Sequence, residues 1–396
     1  PDWYRGIEYI QDQQNGDSYQ EDLYVPGYFE MSIEKDEEII LSASDILVDT
    51  SILFDEFDYE LKKRTPRSNF YNCLRNSSHQ FYYIPKNHET YLLAGYPWFK
   101  VRARDLFISL PGSTLAVDRV DDFEKIMDSA IPHLMDFMEE KTLKNIIKQI
   151  DDPDVLLWAI WALQQYWKEN KEAFKTKYPP FLFFVMNYIL ANKHPNLKVN
   201  KETGLVFTNG HDVAVSWMNA MLHEKPVVPR SGYLVEFNAL WYNALCFAEE
   251  IAEITGETEL TTLFQEKAEI VRRTFVSTFM NGAGYLYDYV ENDYSDVNVR
   301  PNMIFAVSLD YSPLERSQQK SVIDYVTKEL LSNCGIRTLS PKSGNFKPHY
   351  TGSIEEKTFA YFNGMALPWL FGPYIEAYLK VCHKIGLSLA DRIMVA

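Results

Sequence analysis

The chain has 396 residues, of which 46% are apolar and 15% aromatic, with a formal net charge of −16. That apolar share excludes a disordered chain. The acidic balance excludes nucleic acid and anionic membrane surfaces as partners, since neither attracts a surplus of carboxylates.

Residues 1–50 differ in pattern from the rest. Tyr28 to Ser44 (YFEMSIEKDEEIILSAS) holds two short alternating runs around a charged turn at Lys35-Asp36, which predicts a β-hairpin. One hairpin is not stable alone. The segment is therefore expected to be the tail of an N-terminal β domain, with a linker, whose remainder is missing here. The chain starts at Pro1 rather than Met, which fits a piece of something longer.

From about residue 51 the period becomes helical. Asp121 to Lys141 sets Phe123, Ile126, Met127, Ile131, Leu134 and Met138 near i, i+3, i+4 spacing, and Pro132 is expected to kink it. Pro153 to Asn170 opens with acidic residues and a Pro, then runs through Leu156, Leu157, Ile160 and Leu163. Further helices are predicted over 60–83, 104–116, 180–192, 211–222, 234–255, 258–279, 313–331 and 366–386. Clusters such as Asn281-Gly282-Ala283-Gly284 separate them. About a dozen helices without a fixed-period repeat suit a closed toroid of helix hairpins better than a solenoid. The expectation is one all-α domain over 51–396.

Cys73, Cys246, Cys334 and Cys382 lie far apart, which fits neither a zinc site nor a disulfide framework. A reducing, cytoplasmic location follows. No apolar run approaches the ~20 residues of a membrane span. No phosphate loop, His-Glu metal spacing or nucleophile elbow is present, so no metal or cofactor is expected.

Four segments mix Trp, Gly, Pro and charge within a short span. Ala94 to Gly112 (AGYPWFKVRARDLFISLPG) carries Trp98, Arg104 and Asp105. Asp105 is either favoured by a helix N-terminus or takes sugar hydroxyls together with Arg104. Gly204 to Ala220 (GLVFTNGHDVAVSWMNA) carries Trp217 and Asn219, with His211 and Asp212 read as capping residues. Pro229 to Leu245 (PRSGYLVEFNALWYNAL) carries Arg230, Glu236 and Asn238. Glu236 sits at the edge of an apolar helix face. It is either solvated or partly desolvated, and desolvation would suit it to general-acid work. Tyr350 to Tyr374 (YTGSIEEKTFAYFNGMALPWLFGPY) carries Glu355, Glu356, Asn363 and Trp369. The paired Glu residues are either surface charge or a source of the second carboxylate. Clustered rings, apolar on the face and polar at the tip, suit a core or a sugar-stacking cleft.

At these segments the sequence resembles the amylo-α-1,6-glucosidase domain of glycogen debranching enzymes. The likeness also includes VRPNMIFAVSL (Val299 to Leu309) and GIRTLSP (Gly335 to Pro341), and it runs in order over roughly 90–385. The resemblance implies an (α/α)6 toroid that hydrolyses the α-1,6-linked glucose left at a trimmed glycogen branch, with inversion. An α-glucan polysaccharide or oligosaccharide is then the partner. Arg104 and Asp105 would grip the terminal glucose, and Trp98, Trp217 and Trp369 would wall it.

Two positions depart from the family pattern. Asn219 stands where the family has Asp after the Trp-Met pair, and Met365-Ala366 stands where eukaryotic members carry a Glu. The acid and base are therefore expected from Glu236 and one of Glu355 or Glu356. A hydrolase of the same fold with another linkage preference, and a degenerate α-glucan-binding domain, are the competing readings.

Overall fold

The computed structural model describes residues 1–15, 18–86, 88–96, 99–143 and 146–382. It divides into two compact units, Pro1–Tyr82 and the chain from Tyr83 onward.

In the first unit, β1 (Asp2–Glu8) pairs antiparallel with β2 (Gln20–Val25), with α1 (Ile10–Asn15) between them. Trp3 lies opposite Tyr24 on that ribbon, with ring centroids 5.2 Å apart. Helices α2 (Leu53–Lys63) and α3 (Phe70–His79) follow; Asn69 caps α3 through the Asn72 amide. The hairpin expected over Tyr28 to Ser44 is absent: only the turn at Lys35-Asp36 forms, with Asp36 at φ 69°. Tyr28 and Phe29 are largely solvated there, so the alternating pattern has no second layer to pack on.

The second unit is helical. Its elements are α4 (Ala103–Ser113), α5 (Val120–Met138), α6 (Val155–Glu169), α7 (Lys171–Lys177), α8 (Pro179–Leu190), α9 (Val235–Thr255), α10 (Thr258–Phe279), α11 (Phe305–Ser308), α12 (Arg316–Glu329), α13 (Ile354–Tyr361) and α14 (Phe371–Val381). The core follows from α6 and α9. Both are apolar on more than one face, and both are buried along most of their length. Packing runs from α4 to α6, from α6 to α9, and from α9 to α8, α10 and α11, while α14 covers α11 and α12. Helix α5 continues through Pro132, which stands inside it.

Helices α9 and α10 make a hairpin. Gly256 closes α9 at φ 80°, ψ 18°, with its amide donating to Glu253 O and the Glu257 amide to Ala252 O. A left-handed residue at that position turns the chain and satisfies the last carbonyls of the helix.

Residues 211–222, predicted as a helix, form a loop ending in a two-residue strand. Long-range partners fix the loop. Val215 O accepts from Arg104, Ser216 Oγ from Arg230, and Asn302 Oδ1 from the Trp217 indole. A side chain at Gly210 would meet Arg230 O at 1.9 Å, so only glycine lets the two backbones touch. Among the described residues, no helix is long and apolar enough to cross a membrane.

Candidate active-site cleft

Helix α4 points Arg104 inward from its first turn. Arg104 Nε donates to both oxygens of Asp154, at 2.9 and 2.8 Å. Nη2 donates to Asp154 Oδ1 at 2.8 Å and contacts Asp152 Oδ2 at 2.7 Å. Nη1 makes no hydrogen bond among the described residues. Asp154 Oδ2 also accepts from the Trp158 indole at 3.0 Å, so one buried carboxylate ties α4 to α6.

Burial pushes the Asp152 carboxyl up to about 6; Arg104 opposes the shift, and the crowding carboxylates of Asp154 and Asp151 add to it. Asp105, beside Arg104, faces outward. Desolvation raises it, with Arg104 and Arg102 pulling it back, and its charge reaches Tyr361 on α13.

A second ionic cluster surrounds Arg230. Its Nη1 and Nη2 bind the two oxygens of Glu236, the latter at 2.7 Å, and Nε donates to Asp288 Oδ2 at 2.6 Å. Ser216 Oγ and Asp288 O take the remaining protons. Asn302 Nδ2 donates to Asp288 Oδ1 at 2.8 Å, while its Oδ1 accepts from Trp217 Nε1 at 2.7 Å. Burial pushes the Glu236 carboxyl up and Arg230 pulls it down. With a bidentate guanidinium and a place in the first turn of α9, the pair holds as an ion pair.

A continuous run of rings spans the two clusters. Trp161 meets Trp158 at 5.5 Å, Trp158 meets Phe305 at 5.4 Å, and Phe305 stacks on Trp369 at 6.0 Å and 27°. Trp369 meets Trp217 edge-on at 5.2 Å, Trp217 meets Phe362 at 5.6 Å, and Phe362 meets Tyr361 at 4.8 Å. Both indole N–H groups nearest the ionic clusters are spent on them, so the ring faces are held at fixed angles. Asn219 is half-buried two residues beyond Trp217, and its amide makes no hydrogen bond among the described residues.

The singled-out residues divide accordingly. Trp217, Trp369, Asp105 and Arg104 belong to one neighbourhood. Three polar residues expected to touch sugar are instead sealed structural groups. Arg230 is 2% exposed with every nitrogen occupied. Asn238 is fully buried, donating to Val206 O and Leu234 O and accepting from the Val206 amide. Asn363 donates to Phe359 O and accepts from Arg300.

Glu236 is 1% exposed and committed to Arg230, so a free acid is not available there. Glu356 is solvated and closes the capping box of α13 with Ser353, whose amide donates to it at 2.8 Å. Glu355 is also exposed, paired with His223 Nε2 at 3.0 Å. Both line a cavity of about 460 Å³ with Lys347, His349, Phe359 and Leu222, on the strand that follows Asn219. Trp98 lies outside the described residues.

Asp152, Asp154, Asp288 and Asn302 were not singled out by sequence. The signal available for the first two was the acidic run just before the apolar α6 (DDPDVLLW).

The helical core, with buried carboxylates beside a run of packed rings, belongs to a chain of the glycoside hydrolase class. The fold is shared with a GH63 mannosylglycerate hydrolase from Thermus thermophilus, solved with Tris: TM-score 0.52, 12% identity, covering 81% of this chain and 90% of that one. The chain belongs to the amylo-alpha-1,6-glucosidase family, which matches residues 75–394. Residues 1–40 match the glycogen debranching enzyme N-terminal family. A glycogen debranching enzyme of Saccharomyces cerevisiae is 22% identical over 239 residues, which is 49% of this chain and 15% of the yeast protein.

Proposed function

We propose that this chain hydrolyses the α-1,6-linked glucose at trimmed branch points of glycogen or a related α-glucan, with inversion, in an (α/α)6 toroid. What supports the reading is the contact of Trp217 with Trp369, near Arg104 and Asp105 on α4 and Asp152 and Asp154 just before α6. Ring faces take the apolar face of a glucose unit, and Asp105 with the open Nη1 of Arg104 takes its hydroxyls.

Inversion needs a proton donor and a water-activating carboxylate on separate segments, about 6.5–9.5 Å apart. In this reading Asp152 is the donor, because it retains a proton near pH 6. Glu355, the member of the two α13 carboxylates that does not cap the helix and that pairs with His223, is the base. Glu356 keeps the helix capped, and Glu236 holds the frame with Arg230.

Glucose release from phosphorylase-trimmed glycogen, with the anomer followed by NMR, tests this. The wild-type chain should release β-glucose, and Asp105→Asn should abolish release. Failure of the wild type to release glucose while it still binds glucan would overturn the hydrolase reading.

Asn219 favours a second reading, a domain that binds α-glucan without cleaving it. A chain of that kind should gain roughly 10²-fold or more in glucose release when Asn219→Asp supplies a proton donor.

A further inference from the structure

A groove of about 670 Å³ lies in the second unit, lined by none of the residues placed in the cleft above. Its volume is within the ~300–1,000 Å³ typical of small-ligand sites. The walls come from the loop after α8, the strand Val206–Phe207 with the loop that follows it, Ser231 to Tyr233, and the turn at Glu291-Asn292.

The walls are fixed before any ligand arrives. Thr208 and Gly232 exchange backbone hydrogen bonds at 3.0 and 2.8 Å, and a side chain at Gly232 (φ 88°) would meet Val290 O at 2.4 Å. Asn200 donates to the Tyr233 hydroxyl at 2.8 Å. Glu291 Oε1 accepts from Ser231 Oγ at 2.8 Å and pairs with His211 Nε2 at 2.9 Å.

Several groups are left open on this frame. Among the described residues, Glu291 Oε2 and the Asn209 side-chain N–H groups make no hydrogen bond. Thr208 is 5% exposed and its Oγ1 is enclosed without a partner. Phe207 is 37% exposed and lies at 71° to Tyr233 with ring centroids 5.9 Å apart, and both rings line the groove. Lys198, the groove's ammonium, donates one of its three protons to Asn192 O at 2.8 Å. An exposed ring, open amide donors and an open acceptor match a polyhydroxylated ligand.

We infer that this groove is a second carbohydrate-binding site, which holds a glucan chain away from the reacting bond through Phe207, Asn209 and Glu291. The choice of an α-glucan as the sugar rests on the proposed function. Binding energy made on a remote part of a polymer retains the chain without touching the chemistry.

The test measures binding of maltoheptaose by calorimetry, and retention in glycogen-containing gels, for the wild type, Phe207→Ala, Asn209→Ala and Phe207→Trp. Loss of the ring should weaken binding about tenfold, the size of one stacking contact, and Phe207→Trp should restore it. Asn209→Ala, at an exposed position that leaves the fold alone, should weaken it in the same direction. Binding that is unchanged in both alanine variants overturns the site, as does a wild type with no affinity for maltoheptaose. Glucose release is scored separately. Release by a chain whose binding ignores Phe207 removes the groove and leaves the hydrolase reading standing. Binding that depends on Phe207 in a chain that releases no glucose does the reverse.

Discussion

Arg230 touches two carboxylates that water cannot reach. The guanidinium lies against both of them where solvent does not. Replacing Arg230 with Met would leave Glu236 and Asp288 as uncompensated buried charges. Losing one partner of such a cluster costs roughly 3–5 kcal/mol. Arg230→Met should therefore lower the urea midpoint sharply, whereas Glu355→Gln, at an exposed pair, should leave it nearly unchanged. If Arg230→Met unfolds at the wild-type midpoint, the cluster does not hold the frame of the cleft.

The same cluster shows what the sequence conceals at this scale. Arg230, Asn238 and Asn363 stood out as polar groups among apolar ones, a pattern shared by ligand contacts and by buried hydrogen-bonding posts. Their partners decide between the two, and those lie far along the chain: Asp288 is 58 residues from Arg230, and Val206 is 32 from Asn238. The resemblance made Trp98, Trp217 and Trp369 walls of a glucose site; Trp217 and Trp369 pack edge-on at 5.2 Å, and Trp98 lies outside the described residues.

Elements were more legible than residues. The pattern predicted helices over 234–255 and 258–279, and the structure has Val235–Thr255 and Thr258–Phe279. Apolar periodicity and a Gly between the two are local signals. The loop at 211–222 was misread because its conformation is set by Arg104, Arg230 and Asn302 from three other segments. Gly256 is the clean test of an element boundary. Nothing lies within 4 Å of the position a Cβ would take, so Gly256→Ala should cost only the strain of a left-handed residue, about 1 kcal/mol. Gly256→Asn should cost less, since Asn tolerates that conformation. Thermal unfolding of both variants checks the order.

The loop that follows α8 carries a pH dependence. His194 is fully buried against Phe137 and Tyr188; its Nδ1 accepts from the Asn196 amide at 3.1 Å, and its Nε2 has no partner among the described residues. Burial, with Lys198 nearby, lowers it to about 4 from the usual value near 6.5. Between those values the unfolded chain binds the proton and the folded chain does not. Stability therefore falls as pH drops from about 6.5 toward 4, by up to roughly 3 kcal/mol from this group. Asp152 has the opposite sign: its carboxyl is raised, so its share of stability is lost as pH rises through about 6. His194→Gln should flatten the acid limb of the stability profile relative to the wild type. Equal slopes would mean that the imidazole is protonated in the folded chain.

At the scale of the whole molecule, burial is distributed unevenly between the two units. Among the described residues of Pro1–Tyr82, none is buried, and Trp3, Tyr28, Phe29, Phe54 and Phe70 are exposed. From Tyr91 onward the chain buries Trp158, Trp241, Phe237 and a continuous set of aliphatic neighbours. Ordering each residue costs about 1–2 kcal/mol of conformational entropy, which only burial on this scale offsets. The two units should behave differently when expressed apart. A fragment beginning at residue 83 should keep a cooperative thermal transition and the far-ultraviolet signature of its helices. A fragment of residues 1–82 should show no cooperative transition, with its amides exchanging as fast as those of an unfolded chain. Its single ribbon and two short amphipathic helices have no apolar face covered within the unit. Slow exchange anywhere in that fragment would mean that it builds a core by itself, and the burial of the second unit would then not be the main source of the chain's stability.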